Sequence, residues 1–184
     1  MKIYRLDTPS DKNGNPIFKH MCFDGKRSPT NWLMSQGNDR DAARAAYIPP
    51  EWFWCGNKRW RVSDHPDGAV PGEIFSQKSM DTLMNLVDIE RGDIYDLGHG
   101  KSNDKDVHYW LYILWNRINV VDMPIPAVVV GQLQSPVSFK KDIGKLPHIF
   151  KSYHENRAWV TEDFKAAVES AGLTGFMFTP IGDM

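Results

Sequence analysis

The last third of the chain carries the pattern that most limits its possible folds: a strand, a helix and a second strand in close succession. Thr161 can cap a helix whose first turn carries two carboxylates, which interact favourably with the helix dipole. One face of this helix is apolar over 164–171, and Gly172 follows where a left-handed C-cap is expected. Residues 175–178 then predict a final strand, and 149–160 predict a hairpin before the helix.

The middle of the chain adds a second helix and a buried strand. The helix is predicted to begin after Ser76, and its apolar residues recur with a period of 3.6 at Met80, Leu83, Met84 and Val87. Residues 107–115 are rich in β-branched and aromatic side chains, as in a central strand buried on both faces, and 127–130 predict another. We therefore predict an α+β fold, a mixed or antiparallel sheet covered by two main helices.

The first part of the chain is turn-rich. A short strand at 2–6 precedes a loop at 8–16, and 39–47 predict a helix that the following prolines end. The aromatic segment 51–62 is predicted to form a hairpin around Gly56 and Asn57. With 184 residues and no internal repeat, the chain is expected to form a single domain, 1–184.

Charge and cysteine content exclude several classes of protein. Lys and Arg number 22 against 23 Asp and Glu, so general nucleic-acid binding is not expected. Cys22 and Cys55 are too few for a disulfide framework, and the opening residues lack the apolar core of a secretory signal. We expect reduced thiols, a cytoplasmic location and no membrane segment, since the longest apolar stretch is far shorter than the roughly 20 residues a spanning helix needs.

Strong catalytic motifs are absent: the sequence has no GxSxG, HExxH, Walker or GxGxxG pattern. His20 and Cys22 supply only two potential metal ligands, whereas a zinc site usually has four. The segment 88–106 holds six carboxylates, but its spacing does not match a calcium-binding loop, and a solvated connection is the expected structure. We therefore predict no cofactor, no metal site and no enzymatic activity.

Aromatic residues make up 12% of the chain and include seven Trp. Three of them lie close together at Trp52, Trp54 and Trp60. Alternation along a strand places Trp52 and Trp54 on one face and Phe53 on the other. Core packing and an exposed binding platform are both compatible with this cluster, because aromatic side chains dominate cores as well as interface hot spots.

Four blocks resemble, in order, an immunity protein family of bacterial polymorphic toxin systems, family eleven. The closing block, a strand ending in Val-Thr-Glu followed by an apolar-striped helix and AGLTGF, is the most specific. The four blocks are Ile74–Val87, Tyr109–Asp122, Ile149–Phe150 and Ala158–Phe178. The resemblance implies a family-like core at 73–184, a variable part at 1–72, and a small cytoplasmic antitoxin that binds a toxin encoded beside it.

The main hypothesis is therefore a non-enzymatic immunity protein that neutralises a cognate toxin by forming a complex, with self-association left open. The expected partner-binding residues are Trp52, Trp54, Arg59 and Trp60, together with the acidic Asp93 and Asp96 if the toxin is basic. The alternative is an enzyme, such as one that reverses a toxin's modification. Its dispersed site would use His99 or His108 with Asp96 or Asp122.

Overall fold

The computed structural model describes residues 1–24, 28–37, 39–68, 70–99, 107–115, 117–126 and 133–184. These residues contain four helices and ten strands. The helices are α1 (Pro29–Ser35), α2 (Arg40–Ala45), α3 (Gln77–Leu83) and α4 (Glu162–Ser170). The strands are β1 (Lys2–Asp7), β2 (His20–Phe23), β3 (Trp52–Cys55), β4 (Glu73–Ser76), β5 (Gly92–His99), β6 (His108–Leu114), β7 (Arg117–Ile118), β8 (Ile149–Ser152), β9 (Ala158–Thr161) and β10 (Met177–Asp183).

A five-stranded sheet in the order β10-β1-β9-β8-β7 contains both ends of the chain. Only β7 and β8 are parallel, so the sheet is mixed. The strand β1 pairs with β10 on one side and β9 on the other. The first residues therefore do not cover the sheet from outside, but form one of its inner strands.

A three-stranded antiparallel sheet has the order β4-β6-β5. Its central strand confirms the prediction for 107–115, because β6 pairs on both sides. The expectation that 88–106 is a solvated connection is wrong for 92–99. These residues form β5, whose Tyr95 and Leu97 are buried although acidic residues lie between and beside them.

A two-stranded antiparallel ribbon, β2–β3, corrects two predictions. The segment 51–62 is not a hairpin, because Trp52–Cys55 pairs with the distant His20–Phe23. The cysteines are not free thiols either, since Cys22 and Cys55 form a disulfide across the ribbon. The strand pairing brings these two positions together, and their separation of 33 residues hides that proximity in the sequence.

The helices follow the predicted capping and periodicity. Ser76 and Thr161 cap α3 and α4, and each accepts a hydrogen bond from a backbone N–H in the first turn. The predicted helix 39–47 is confirmed as α2. One residue of the α3 stripe is different: Met84 follows the last helical residue and is largely exposed, whereas Met80, Leu83 and Val87 are buried.

Three apolar cores hold these layers together. The first lies among α3, α4 and the facing surfaces of the two larger sheets, and contains Phe75, Tyr112 and Phe164. The second covers the other face of the five-stranded sheet around Trp159 and Phe150. The third packs the ribbon on the three-stranded sheet through Trp52 and Tyr109.

These observations confirm the α+β class and the mixed and antiparallel strand arrangement. The predicted strand at 127–130 and the end of the acidic segment, 100–106, lie outside the described residues, as does Asn116. Within the described part of the chain, no helix has both the length and the apolar character needed to cross a bilayer.

Candidate functional site

The predicted aromatic residues lie on the ribbon and on the turn that follows it. The register of β2 and β3 places Trp52 and Trp54 on the face that packs on the three-stranded sheet. Trp52 is 5% exposed, and its indole N–H donates to the Leu97 carbonyl at 2.7 Å. This side chain joins the ribbon to the sheet beneath it.

The other residues of this group are more accessible. Trp54 is partly buried and contacts the Tyr109 ring edge-to-face, with 5.4 Å between the centroids. Trp60 lies over Gly56, where an added Cβ would come within 2.7 Å of the indole ring. Gly56 also has a φ of 108°, so this turn needs glycine for both space and backbone conformation. Arg59 is exposed beside them.

Sequence reasoning missed the most exposed aromatic residue of the ribbon, Phe53, which is 54% exposed. Alternation had already placed it on the face opposite Trp52. Which of the two faces is buried depends on the contact with the distant sheet, and no local signal reports that contact. We define the ribbon face as the exposed Phe53 and Arg59 together with the partly exposed Trp60.

Asp93 is not a surface carboxylate. It is 7% exposed and accepts hydrogen bonds from Arg40 at 2.8 Å, from Arg44, and from the Trp115 indole at 2.7 Å. Burial alone would raise the pKa of this carboxyl, but the hydrogen bonds from the arginines and Trp115 lower it to about 2. Asp93 therefore attaches α2 and the end of β6 to the start of β5.

Asp96 lies beside two histidines on the β5–β6 hairpin. His108 Nε2 is 2.6 Å from Asp96 Oδ1, and His108 Nδ1 is 3.2 Å from His99 Nε2. The His108 ring stacks on Trp110 at 4.7 Å between centroids. Strand alternation puts this group on the sheet face opposite the one that the ribbon covers. Asp96 and the ribbon face therefore belong to different surfaces.

The enzyme alternative requires His108 and a carboxylate to meet in a polar cleft. Among the described residues, His108 lies at an accessible surface instead. His108 is partly exposed and bound to Asp96 on the hairpin surface. Asp122 lies elsewhere: it is exposed, and its backbone N–H donates to the Ser138 carbonyl at 2.9 Å.

A polar cleft of about 660 Å³ lies between the two larger sheets, and no local sequence pattern predicts it. His65 Nε2 is 3.0 Å from Glu73 Oε2, and Lys151 donates to the Pro71 carbonyl at 2.8 Å. Asp7 Oδ1 lies 3.4 Å from Arg157 Nε. The cleft is lined by groups that neutralise one another, and its polar residues come from segments distant in sequence.

The charges in this cleft respond to burial in different ways. Burial raises the pKa of Asp7, although arginines nearby oppose the shift. Burial also lowers the pKa of the Lys151 ammonium. The pKa of Glu73 is lowered, because the hydrogen bond and charge of His65 outweigh the effect of burial.

Potential metal ligands converge at one place among the described residues. His20, Cys22 and Cys55 each offer a ligand atom, and these atoms lie within 4.8 Å of one another. The sequence suggested only the first two. The third comes from the strand pairing.

The C-terminal half of the chain matches an immunity protein family. The model of the immunity protein family Imm11 matches residues 97–183, from the end of β5 to the end of β10. This match agrees with the resemblance seen in the sequence. It includes the later three blocks of that resemblance, while the block at 74–87 lies outside it. No curated protein matches the chain.

The Imm11 match has a structural consequence. Its strands β9 and β10 are not adjacent, because β1 lies between them in the sheet. The part of this chain that matches Imm11 therefore depends on the first seven residues to complete its main sheet.

Proposed function

We propose that this protein is an immunity protein that binds a cognate bacterial toxin in the cytoplasm and neutralises it by forming a stoichiometric complex. The match of residues 97–183 to Imm11 carries this proposal. The absence of a strong catalytic motif from the sequence supports a binding role. An interface of about 1,600 Å² would be enough for a stable complex that occludes or distorts the toxin's active site.

The ribbon face is the proposed centre of the interface. It combines an exposed Phe, a partly exposed Trp and an exposed Arg, which are residue types enriched at interfaces and binding hot spots. It also lies outside the part of the chain that matches the family. An immunity protein that recognises one particular toxin needs such a surface, separate from the elements that the family shares.

Of the six predicted contact residues, three take supporting roles in this proposal. Trp52 and Trp54 pack on the sheet side and hold the ribbon in place. Asp93 is occupied by Arg40, Arg44 and Trp115, and a direct contact with the toxin would have to break these internal bonds. Asp96 remains accessible on the opposite face of the sheet, as a second and separate contact.

Charge near the ribbon face specifies the complementary surface of the toxin. Lys58, Arg59 and Arg61 are exposed, and the backbone N–H of Lys19 donates to the Arg61 carbonyl at 2.9 Å. These residues concentrate positive charge at one end of the ribbon. A toxin surface rich in carboxylates would associate faster with it and in a defined orientation.

Co-expression with the product of the adjacent reading frame tests the function. We expect a complex that survives co-purification, and rescue of growth when the toxin is induced. Neither complex formation nor rescue would overturn the proposal. His108→Ala is the informative variant for the enzyme alternative, because rescue should remain intact for a binding protein and fail if His108 is catalytic.

Substitutions on the ribbon face test whether the toxin binds there. We expect Phe53→Ala and Arg59→Glu each to weaken toxin binding by about 30-fold or more, since losing a hot-spot side chain costs about 2 kcal/mol or more. Ile125→Ala and Lys145→Glu are matched controls at exposed sites outside the ribbon. If the controls weaken binding and the ribbon variants do not, the interface lies elsewhere.

A further inference from the structure

The outward face of the ribbon, formed by His20, Cys22, Phe53 and Cys55, brings together three side chains that can bind a metal ion. All three lie outside the residues that match Imm11. His20 is paired with Cys55 in the strand register, and Cys22 lies two residues along β2 on the same face. All three side chains are partly exposed, and their ligand atoms lie within 4.8 Å of one another. A metal ion could therefore reach them from solvent without any rearrangement of the core.

The imidazole of His20 gives an independent indication. Its Nδ1 atom is shielded from solvent, yet it has no hydrogen-bond partner among the described residues. A buried nitrogen without a partner is costly, and the neutral imidazole presents a lone pair at such an atom. Of the described residues with such a buried, unpartnered side-chain nitrogen, His20 is the one whose ring also offers a ligand atom beside two cysteine sulfurs.

We propose that, when the Cys22–Cys55 disulfide is reduced, His20 and the two thiolates bind one Zn²⁺ ion. Two thiolates and one imidazole are the ligand set of an open, three-ligand zinc site, in which solvent occupies the fourth position. Zinc-bound sulfurs about 2.3 Å from the ion lie about 3.8 Å apart, so the sulfurs must separate only modestly after reduction. The proposal is independent of toxin binding.

A dithiol is the reductant of the Cys22–Cys55 disulfide. The dithiol gives two electrons and two protons to the Cys22–Cys55 bond, which produces two thiols, while the reductant forms its own disulfide. Zn²⁺ then displaces one proton from each thiol as the Zn–S bonds form. The ribbon is thereby cross-linked in both conditions: by the disulfide when oxidised and by zinc when reduced.

Such a cross-link matters because a two-stranded ribbon is only marginally stable by itself. The cytoplasm keeps most thiols reduced, so the disulfide would not persist there. Zinc would supply the missing link at the same position and would hold the ribbon face in a fixed geometry.

Cobalt binding to the full chain tests this site. The protein is reduced with dithiothreitol, freed of the reductant by anaerobic gel filtration and titrated with Co²⁺. We expect one equivalent to bind, with a thiolate-to-cobalt charge-transfer band and intense tetrahedral d–d bands, and we expect Zn²⁺ to displace it. The oxidised protein should give neither band. Absence of the charge-transfer band in the reduced protein would overturn the proposal.

Ligand variants identify the side chains. Cys22→Ser and Cys55→Ser should each remove tight binding, and His20→Ala should weaken it by about tenfold or more, since one of three protein ligands is lost. His148→Ala, another partly exposed histidine, is the control and should bind cobalt as the wild type does. Equal affinity in His20→Ala and wild type would contradict the three-ligand site.

A second measurement covers variants that fold poorly. Zn²⁺ should raise the melting temperature of the reduced wild-type protein, because a ligand that binds only the folded state stabilises it. The oxidised protein should show no increase. A similar increase in both forms would indicate binding elsewhere and would overturn the assignment to this site.

Discussion

The five-stranded sheet and the β2–β3 ribbon are stabilised by different means. The sheet has apolar cores on both faces, and a buried ion pair, Arg5–Glu155, joins its first strand to the turn before β9. The ribbon has two four-residue strands, one packed face and one open face, and a disulfide links its strands.

This difference separates the part of the chain that forms the main sheet from the part proposed to bind the toxin. The sheet is completed mainly by elements inside the Imm11 match, with β1 added between two of them. The ribbon lies wholly outside the match and exposes aromatic and basic side chains. Under the proposed function, the elements that match Imm11 supply most of the fold. The ribbon supplies a partner-specific surface, which a cross-link and contacts with the layer below hold in place.

The largest expected effect is at Glu155, in the sheet. It is 1% exposed and accepts hydrogen bonds from Arg5 at 2.6 Å and from the Trp159 indole at 3.1 Å. Glu155→Ala leaves a buried arginine without its main charge partner, which should lower the free energy of unfolding by about 3–5 kcal/mol. Urea unfolding measures this loss. Glu169→Ala, at an exposed helical ion pair, should change it by less than about 0.5 kcal/mol, and equal losses would contradict the comparison.

The next effect distinguishes the two faces of the ribbon. Trp52→Ala removes a buried indole and leaves the Leu97 carbonyl without its donor, so it should cost about 3 kcal/mol in unfolding free energy. Phe53→Ala, one residue away on the open face, should cost less than about 1 kcal/mol. Thermal or urea unfolding measures the unfolding free energies of the two variants. A larger loss for Phe53→Ala than for Trp52→Ala would contradict the assignment of Trp52 to the packed face and of Phe53 to the open face.

A smaller effect appears as a pH dependence at Asp93. Because its pKa is lowered from 3.8 to about 2, the folded state binds fewer protons than the unfolded chain between these values. The stabilisation is complete above about pH 4 and is lost as the pH falls towards about 2. Relative to Asp93→Asn, the wild type should lose about 1–2 kcal/mol more over this range.

Chemical denaturation at a series of pH values follows the Asp93 effect. Asp142→Asn, at an exposed carboxylate, is the control and should retain the pH dependence of the wild type. If Asp93→Asn also retains it, the arginines do not stabilise the ionised carboxylate as the contacts indicate.

The smallest effect is expected to be equal in the two regions. Asp39 caps α2 near the ribbon, and Thr161 caps α4 against the sheet. Replacing either by Ala should cost about 1 kcal/mol, because an N-cap acts within a single turn. Unfolding midpoints compare the two variants directly. A clearly larger loss at Asp39 would show that the ribbon side depends on its local elements more than the sheet does.

Local patterns predicted the sheet region well and the ribbon poorly. The N-caps at Ser76 and Thr161 and the 149–160 hairpin depend on neighbours a few residues away, and the structure contains all of them. The predicted hairpin at 51–62 was wrong because β3 pairs with a strand about 30 residues earlier. A turn signal such as Gly56-Asn57 reports a change of direction, but it does not report which strand will be the neighbour.

The candidate site shows the same limit. Sequence reasoning selected Trp54, Arg59 and Trp60 from residue type, but only the packed layers revealed that Phe53 is exposed and that Asp93 is enclosed by arginines. The disulfide was also missed, because a separation of 33 residues carries no information about distance in space.

By itself, the sequence determined the α+β class, the helix boundaries set by capping and the family to which the C-terminal half is similar. These features arise from hydrogen bonds and periodicity within a few residues of chain. Tertiary structure decided the place of β1 between β9 and β10, the pairing that joins Cys22 to Cys55, and the face of the ribbon that meets solvent. Such features depend on which distant surfaces exclude water together, and a linear pattern of apolar residues has many ways to satisfy that requirement.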